Sequence, residues 1–382
     1  MGTGKKRAIF VMAVFLMVSV LMPVGSVQAG PAVNAKAYVL MEASTGRVLL
    51  ENNRDAKLPM ASTTKIMTCL LAVENGNMED IVTIPKEAVG LEGTSIYLRE
   101  GEQVAFSDLV YGLMLASGND AAAAIAIHIA GSIEGFAQMM NEKARQIGAV
   151  NSNFVTPNGL PDDNHYTTAY DLALISSYAM QNEKFCEIVG TTKKDLPEDD
   201  DSPARYLRSK NKILYQYEGG NGIKTGFTKA AGKCLSAGAK RDSMQLVAVV
   251  LNDYDMFIDC MALLDYGFEH YAMRQVAEAG KSYGEIPVEN GIEGSVSTAL
   301  CENIYLPLTE EEVNMVEEKV NMSSSLIAPV QEGEVVGKAE FSFGEITAKS
   351  DIVTISSARE KTYEFYLFQV LEHWLGLEKQ AS

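Results

Sequence analysis

The segment Ser62-Thr63-Thr64-Lys65 opens an apolar stretch that continues to about Val73 and ends near Asn75-Gly76. This pattern predicts a helix whose first turn carries a serine and a lysine three residues apart, so that both lie on one face. A lysine that is desolvated or lies beside another cation can lose its proton near neutral pH and activate a hydroxyl group. Ser62 and Lys65 are therefore candidates for the nucleophile and the base of an acyl-transferring enzyme that needs no His-Asp pair.

Two further short motifs follow along the chain. Ser117-Gly118-Asn119 is a polar break between apolar helical segments at Phe106–Ala116 and Ala121–Ala130, and its side chains suit a proton shuttle and an amide contact. Lys224-Thr225-Gly226 lies in the predicted strand Gly222–Phe227, which can pair with an extended substrate backbone. The lysine and threonine suit a terminal carboxylate, and the glycine allows a close main-chain approach.

A second Ser-x-x-Lys match, Ser209-Lys210-Asn211-Lys212, shows that this motif is weakly specific by itself. It lies in a polar, charged stretch, whereas Ser62 begins an apolar helix whose N-terminal N–H groups can hold a developing oxyanion. Taken singly, each motif also has an ordinary structural interpretation. Ser62 is then a helix N-cap, Lys65 a surface lysine, and 224–226 part of an exposed strand.

The order of the predicted elements indicates an α/β sandwich. A hairpin comes first, with strands at Ala37–Met41 and from Val48, and helices follow it. Further helices are predicted at 133–147, 168–180 and 256–271, and further strands at 233–239 and 245–251. Strands at both ends of this block predict one antiparallel sheet that is covered by helices, in an α/β (α+β) domain over residues 30–275.

From about Val276 the sequence pattern changes to short alternating apolar segments that are separated by glycines and acidic residues. These segments are Gly291–Leu300, Asn303–Leu306, Ser324–Ala328, Val335–Phe343 and Ile352–Ile355. They predict a small all-β domain over 276–357, in which no catalytic constellation is found. An amphipathic helix with the chain's single Trp, Trp374, is predicted over 358–382 and suits peripheral contact with a membrane. Docking on the β domain and an oligomer contact are the alternatives.

The N-terminus predicts export. A basic start at Lys5–Arg7, an apolar run at Ala8–Val24 and small residues before Gly30 form a secretory signal peptide over residues 1–29. An uncleaved membrane anchor is the alternative. The formal net charge of -18 argues against nucleic acid as a partner. Five cysteines without a CxxC pair indicate neither a disulfide framework nor a zinc knuckle, and four scattered histidines show no metal-ligand spacing.

Together, and in this order, the three motifs resemble those of the penicillin-recognising serine enzymes, the penicillin-binding proteins and serine β-lactamases. The resemblance covers about residues 32–275 and implies a β-lactamase/transpeptidase-like sandwich. The Ser-Gly-Asn form of the second motif, the trailing β domain and the terminal helix are similar to the D-alanyl-D-alanine carboxypeptidases, as is the segment from Asn158 to Asp171. His165, within that segment, is expected to order the loop.

This resemblance implies a role for each motif. Ser62 would attack the carbonyl group of the penultimate D-alanine, Lys65 would take the serine proton, and Ser117 would relay a proton to the leaving amine. Asn119 would hold the acyl segment. The serine would become acylated, and water would then release the shortened peptidoglycan stem peptide. The resemblance implies that no metal or organic cofactor is needed.

The third motif would bind the substrate. Lys224 and Thr225, beside Gly226, would bind the terminal carboxylate of the substrate. The backbone N–H groups of Ser62 and Phe227 would form the oxyanion hole. The expected partners are peptidoglycan stem peptides, with β-lactams as inhibitors that acylate the same serine. The expected location is the outer face of the cytoplasmic membrane, or the cell wall or periplasm.

Three alternatives stay open. A β-lactamase is disfavoured, because the deacylating Glu of class A enzymes is not found as Glu-x-x-Leu-Asn between Asn119 and Lys224. A transpeptidase or endopeptidase would share all three motifs. A non-catalytic cell-wall scaffold would have kept the fold without using the intact motifs.

Overall fold

The computed structural model describes residues 30–196, 198 and 203–375. The predicted signal peptide and the last residues of the predicted C-terminal helix, 376–382, lie outside the described residues. The helices are α1 (Lys65–Asn75), α2 (Phe106–Leu115), α3 (Asn119–Ala130), α4 (Ile133–Ile147), α5 (Ala169–Ala179), α6 (Glu183–Gly190), α7 (Ile213–Gln216), α8 (Met256–His270) and α9 (Tyr363–Trp374). The first nine strands are β1 (Ala37–Glu42), β2 (Val48–Asn52), β3 (Ile81–Thr83), β4 (Gln103–Ala105), β5 (Lys193–Leu196), β6 (Arg205–Arg208), β7 (Gly220–Thr228), β8 (Gly232–Arg241) and β9 (Met244–Leu251). The later strands are β10 (Ala272–Ala277), β11 (Ser282–Glu289), β12 (Ser295–Leu300), β13 (Ile304–Leu308), β14 (Glu317–Met322), β15 (Leu326–Ile327), β16 (Val335–Phe343) and β17 (Ile346–Thr354).

The central sheet joins the two ends of the first part of the chain. Its strand order is β2-β1-β9-β8-β7, and every neighbouring pair is antiparallel. Leu40 of β1 lies opposite Ala248 of β9, and Lys224 of β7 lies opposite Ser236 of β8. The predicted sandwich with one antiparallel sheet is therefore confirmed.

Helices cover both faces of this sheet, which explains why its middle strands are apolar throughout. In β9, Val247 and Val249 belong to the core beneath α1, α2 and α3, whereas Leu246 and Ala248 pack with Leu263 of α8. Side chains alternate across a strand, so a strand with two covered faces reads as one continuous apolar run.

The polar break between the second and third helices appears where the sequence predicts it. Helix α2 ends at Leu115 and α3 begins at Asn119, with Gly118 as its N-cap residue. In the part of the chain that the structure describes, no single helix is long and apolar enough to cross a membrane. The pair α3 and α4, bent by 84°, meets the length and composition criteria only when taken together.

The C-terminal part is built from β-strands. A six-stranded sheet has the order β14-β16-β17-β12-β11-β15, and β10 pairs with β13. Strands β11 and β14 were not expected from the sequence. Gly284 and Pro287 interrupt the alternation in β11, and β14 is an exposed edge strand of mostly polar residues. The apolar segment predicted from Gly291 begins as a strand only at Ser295.

One arginine connects this β part to the central sheet. The Arg47 guanidinium group, in the turn before β2, forms two hydrogen bonds of 2.9 and 2.7 Å to the Glu312 carboxylate. It also lies 5.0 Å from the ring centroids of both Tyr271 and Phe343. Strand β2 is the edge of the central sheet opposite to β7, which carries the third motif, so these contacts link the two parts away from that strand.

The C-terminal helix is shorter than predicted within the described residues. Helix α9 covers Tyr363–Trp374, and none of its residues is buried. Apolar side chains at spacings of three and four are left uncovered, with Trp374 83% and Tyr363 80% exposed. In this structure the helix therefore does not dock on the β part through an apolar face.

Candidate active site

Ser62 lies in a tight turn at the start of the helix that the sequence predicts. A 3-10 turn covers Ala61–Thr64, and α1 continues from Lys65. Ala61 has a φ of +49°, which is uncommon for a residue other than glycine. The Lys65 ammonium group donates a hydrogen bond of 3.0 Å to Ser62 Oγ, so the predicted nucleophile and base are in direct contact.

Lys65 is completely buried, and its nitrogen lies among oxygen atoms. Besides Ser62 Oγ, its Nζ donates to Asn119 Oδ1 and to the backbone carbonyl of Asn158, each at 2.7 Å. Burial lowers the pKa of Lys65 well below its usual value, Lys224 lowers it further, and Asp120 opposes the shift. Loss of its proton would turn this lysine into a base toward the serine hydroxyl.

The second lysine is buried in strand β7. Lys224 is 3% exposed, and its Nζ donates a hydrogen bond of 2.9 Å to the carbonyl oxygen of Thr225. Burial, together with repulsion from Lys210, lowers the pKa of Lys224 to about 7. Among the described residues, the hydrogen bonds of these two buried lysines go to hydroxyl, amide and carbonyl oxygens, so the pair suits an anionic ligand.

The Ser117–Asn119 segment is held by its neighbours on both sides. Ser117 has a φ of +60°, and its carbonyl oxygen accepts a hydrogen bond from the Thr94 hydroxyl group. The Asn119 side chain accepts from Lys65 and donates from Nδ2 to the carbonyl oxygen of Glu92. Both ends of this amide are therefore engaged, so Asn119 positions Lys65 in addition to its expected contact with a substrate.

Strand β7 packs directly against the turn that carries the serine. A Cβ atom on Gly226 would lie 3.0 Å from the backbone nitrogens of both Ser62 and Thr63, and 3.1 Å from the carbonyl oxygen of Met60. The sequence suggested glycine here for close approach of a substrate. The structure adds a different requirement, the close approach of two segments of the protein's own backbone.

A cavity of about 710 Å³ connects the motifs. The predicted site residues in its wall are Ser62, Ser117, Asn119, Thr225, Gly226 and Phe227. Lys65 and Lys224 lie behind this wall and are joined to it by their hydrogen bonds. The structure thus brings all the predicted site residues together around one cavity. Phe227, which lines this cavity, is 64% exposed.

Several contributing groups were not identified from the sequence. The Asn158 carbonyl oxygen is a backbone group and leaves no side-chain signature. Lys210 lines the cavity, although the sequence analysis noted it only within the second Ser-x-x-Lys match. Asp120 is 2% exposed and accepts hydrogen bonds from the backbone N–H groups of Ile96 and Leu98, which orders the loop beside the site. The polar run after Gly118 was the available signal for Asp120.

His165 has the loop-ordering contacts that were expected of it. Its Nδ1 accepts from the Val155 N–H group at 3.0 Å, so the tautomer with a proton on Nε2 is inferred. Nε2 then donates to Thr64 Oγ1 at 2.8 Å, and Thr64 donates to the carbonyl oxygen of Ala61 at 2.8 Å. Burial lowers the pKa of His165 to about 4, so the ring is neutral at pH 7. The histidine ties its loop to the turn that presents Ser62.

Within the described residues, no group of three or more His, Cys, Asp or Glu side chains is arranged to hold a metal ion. The chemistry available in the cavity is that of a hydroxyl group, two buried lysines and an array of amide and hydroxyl groups. This set can form and break an ester on Ser62.

Comparison with known proteins agrees with this chemistry. A family model described as D-alanyl-D-alanine carboxypeptidase matches residues 25–255, and one described as penicillin-binding protein 5, C-terminal domain, matches residues 271–360. The chain therefore belongs to the D-alanyl-D-alanine carboxypeptidase family, which confirms the resemblance and the enzyme class predicted from the motifs.

Individual relatives cover most of the chain. The D-alanyl-D-alanine carboxypeptidase DacF of Bacillus subtilis is 32% identical over 351 residues, covering 89% of this chain and 90% of the relative. DacC of Escherichia coli, described as the same type of enzyme, is 29% identical, covering 91% and 90%. The crystal structure of penicillin binding protein 5 from Haemophilus influenzae is 29% identical, with a TM-score of 0.70, and covers 87% of this chain and 99% of that chain.

Proposed function

We propose that this protein is a serine-type D-Ala-D-Ala carboxypeptidase that removes the terminal D-alanine from peptidoglycan stem peptides. The observation that carries the proposal is the contact of 3.0 Å between Ser62 Oγ and a fully buried Lys65 whose pKa is lowered. A neutral amine in that position is a base for the serine hydroxyl group, and no histidine is required.

In the first half-reaction, Lys65 accepts the Ser62 proton while Oγ attacks the carbonyl carbon of the penultimate D-alanine. The negative charge moves to the carbonyl oxygen, where the backbone N–H groups of Ser62 and Phe227 stabilise it. The tetrahedral intermediate collapses, the C–N bond breaks, and the proton passes from Lys65 through Ser117 to the leaving amine. D-Alanine departs, and an ester on Ser62 remains.

In the second half-reaction, water replaces the amine. Lys65, neutral again, takes a proton from the water, whose oxygen attacks the ester carbonyl carbon. Collapse of this intermediate breaks the bond to Ser62 Oγ, which recovers its proton from Lys65. The products are the shortened peptide and the free enzyme.

Recognition of the substrate falls to strand β7 and its surroundings. Lys224 and Thr225 bind the terminal carboxylate, and Lys210 adds positive charge to the same side of the cavity. Asn119 contacts the acyl segment. The carboxylate of a β-lactam satisfies the same groups, and opening of its ring acylates Ser62 in place of the peptide bond.

The test of this function is release of D-alanine from a synthetic acyl-D-Ala-D-Ala peptide. We expect release by the wild-type protein and none by Ser62→Ala. The matched control is Ser209→Ala, which alters the serine of the other Ser-x-x-Lys motif and does not line the cavity. Equal release by wild type and Ser62→Ala would contradict the assignment of the nucleophile. No release by wild type, with penicillin labelling still present, would favour transpeptidation.

We also propose that the protein is exported and that α9 lies on the outer face of the cytoplasmic membrane. The uncovered apolar side chains of α9, with Trp374 83% exposed, support a helix that lies in a membrane interface. We expect the chain without its signal peptide to bind anionic phospholipid vesicles, and truncation before Arg359 or Trp374→Gln to weaken binding. Equal sedimentation of all three proteins with vesicles would contradict this role.

A further inference from the structure

Charges around the cavity are distributed unevenly. Lys210 and Lys229 lie in its wall, and Lys224 is buried behind it. Among the described residues that line the cavity, Glu92 is the one acidic residue. A cavity whose lining includes two lysines and a single acidic residue is complementary to a ligand that bears both signs of charge.

The backbone at Glu92 is held firmly against the Ser117–Asn119 segment. Its carbonyl oxygen accepts a hydrogen bond from Asn119 Nδ2, and two residues later the Thr94 carbonyl oxygen accepts one of 2.7 Å from the Asn119 N–H group. Gly93 lies between them with a φ of +93°, and a Cβ atom there would come within 2.8 Å of Asn119 Nδ2. Glu92 therefore has a defined position relative to the residue expected to contact the acyl segment.

The side chain of Glu92, in contrast, is available. It is exposed, and in the described part of the chain no cation or hydrogen-bond donor contacts its carboxylate. Nearby acidic residues have structural partners: Asp120 holds the loop at Ile96 and Leu98, and Glu102 pairs with Arg205. Glu92 is thus an unused anion in the wall of the cavity.

We propose that Glu92 is a specificity-determining residue that binds a free ammonium group on the stem peptide, on the acyl side of the bond that is cut. This inference rests on the proposed carboxypeptidase function. If the terminal carboxylate is bound at Lys224 and Thr225, the acyl part of an extended peptide runs along Asn119 and reaches Glu92. A residue with a side-chain amine directly before D-Ala-D-Ala would then meet this carboxylate, and acylation of that amine would remove the contact.

Two matched peptides test the proposal. One is Nα-acetyl-L-Lys-D-Ala-D-Ala, whose side-chain amine is free, and the other is its Nα,Nε-diacetyl form, which lacks that positive charge. We expect the wild-type protein to prefer the free amine by about threefold to fivefold in kcat/KM, the size expected of a solvent-exposed ion pair. The preference is expected to shrink as salt is raised from low to high concentration, because exposed charges are screened.

Glu92→Gln should hydrolyse the two peptides with equal kcat/KM. The matched control, Glu100→Gln, alters an exposed glutamate in the same loop that does not line the cavity, and it should keep the wild-type preference. Equal hydrolysis of both peptides by wild type, or an unchanged preference in Glu92→Gln, would overturn the role of Glu92 alone. Failure of wild type to release D-alanine from either peptide would overturn the proposed function together with this inference.

Discussion

The part of the chain that carries the motifs and the C-terminal β part bury different kinds of side chain. In the first part the interior includes Lys65, Lys224 and Asp120, each at most 3% exposed. Among the described residues from 272 onward, the buried polar side chains are the hydroxyl groups of Thr298, Ser350 and Thr354. Desolvated charge is unfavourable for folding, whereas apolar packing with satisfied hydroxyl groups is not. The comparison indicates that chemical function is located where the fold tolerates buried charge.

The largest effect is expected at the buried base. Lys65→Met should lower D-alanine release by about 10³-fold or more, because proton transfer by a positioned base typically contributes about 10²–10⁴-fold. Circular dichroism would confirm that the variant is folded. Lys212→Met is the control, since it changes the lysine of the second Ser-x-x-Lys motif. If Lys65→Met kept a tenth of the wild-type activity, the role of Lys65 as the base would be contradicted.

Lys224→Met is expected to lower activity and raise stability at once. The methionine cannot bind a carboxylate, so KM should rise by about tenfold or more, the size of one charged hydrogen bond. It also removes a buried cation that repels Lys65 and that donates one hydrogen bond within the described residues, so the free energy of unfolding should rise by about 1 kcal/mol. Urea unfolding measures this gain, and a loss of stability would contradict the account.

The same lysine gives a pH test. Its pKa is about 7 in the folded protein and about 10.4 in an unfolded chain, so the unfolded state binds more protons between these values. Stability of the wild-type protein should therefore rise as pH increases from 7 to 9, and Lys224→Met should lose part of that slope. Identical slopes would show that Lys224 is not desolvated as described.

A smaller effect on D-alanine release is expected where the two parts meet. Arg47→Ala removes the pair of hydrogen bonds to Glu312 and the ring contacts with Tyr271 and Phe343. The free energy of unfolding should fall by about 1.5–3 kcal/mol, the value for hydrogen bonds to charged groups. D-Alanine release at 25 °C should stay within about twofold of the wild-type rate. Substitutions away from a site usually change free energies by no more than about 0.5 kcal/mol, which corresponds to this factor. A large loss of activity without loss of stability would mean that this contact reaches the site.

The smallest effect on D-alanine release is expected at Asp253, which is fully buried and has no hydrogen-bond partner for Oδ2 among the described residues. Burial and the neighbouring Asp259 raise the pKa of Asp253 to about 6. The folded state then holds a proton that the unfolded state releases, so the contribution of Asp253 to stability should fall as pH rises from 4 to 6. Asp253→Asn removes this contribution, so between pH 4 and pH 6 the free energy of unfolding of the variant should rise relative to wild type by about 2 kcal/mol, as measured by urea unfolding at both pH values. An unaltered pH dependence would rule out Asp253 as its source.

Much of the fold could be predicted from the pattern of apolar residues, because strands such as β9 are covered on both faces and appear as continuous apolar runs. The polar strand β14 has no apolar face, so it left no such signal. The side chains of the candidate site could be predicted from the sequence because they are concentrated in three short motifs. Two features of the site could not be predicted from periodicity, because they depend on contacts between residues far apart in the chain. They are the hydrogen bond from Lys65 to the Asn158 carbonyl oxygen and the hydrogen bonds at both ends of the Asn119 amide.

In the proposed reaction, Ser62, activated by the buried Lys65, forms an acyl-enzyme. The most direct test is to react the intact protein with a penicillin and locate the added mass by peptide mapping. We expect one adduct on the peptide that contains Ser62, none in Ser62→Ala, and much slower adduct formation in Lys65→Met. An adduct on another residue, or equal labelling rates in wild type and Lys65→Met, would contradict it.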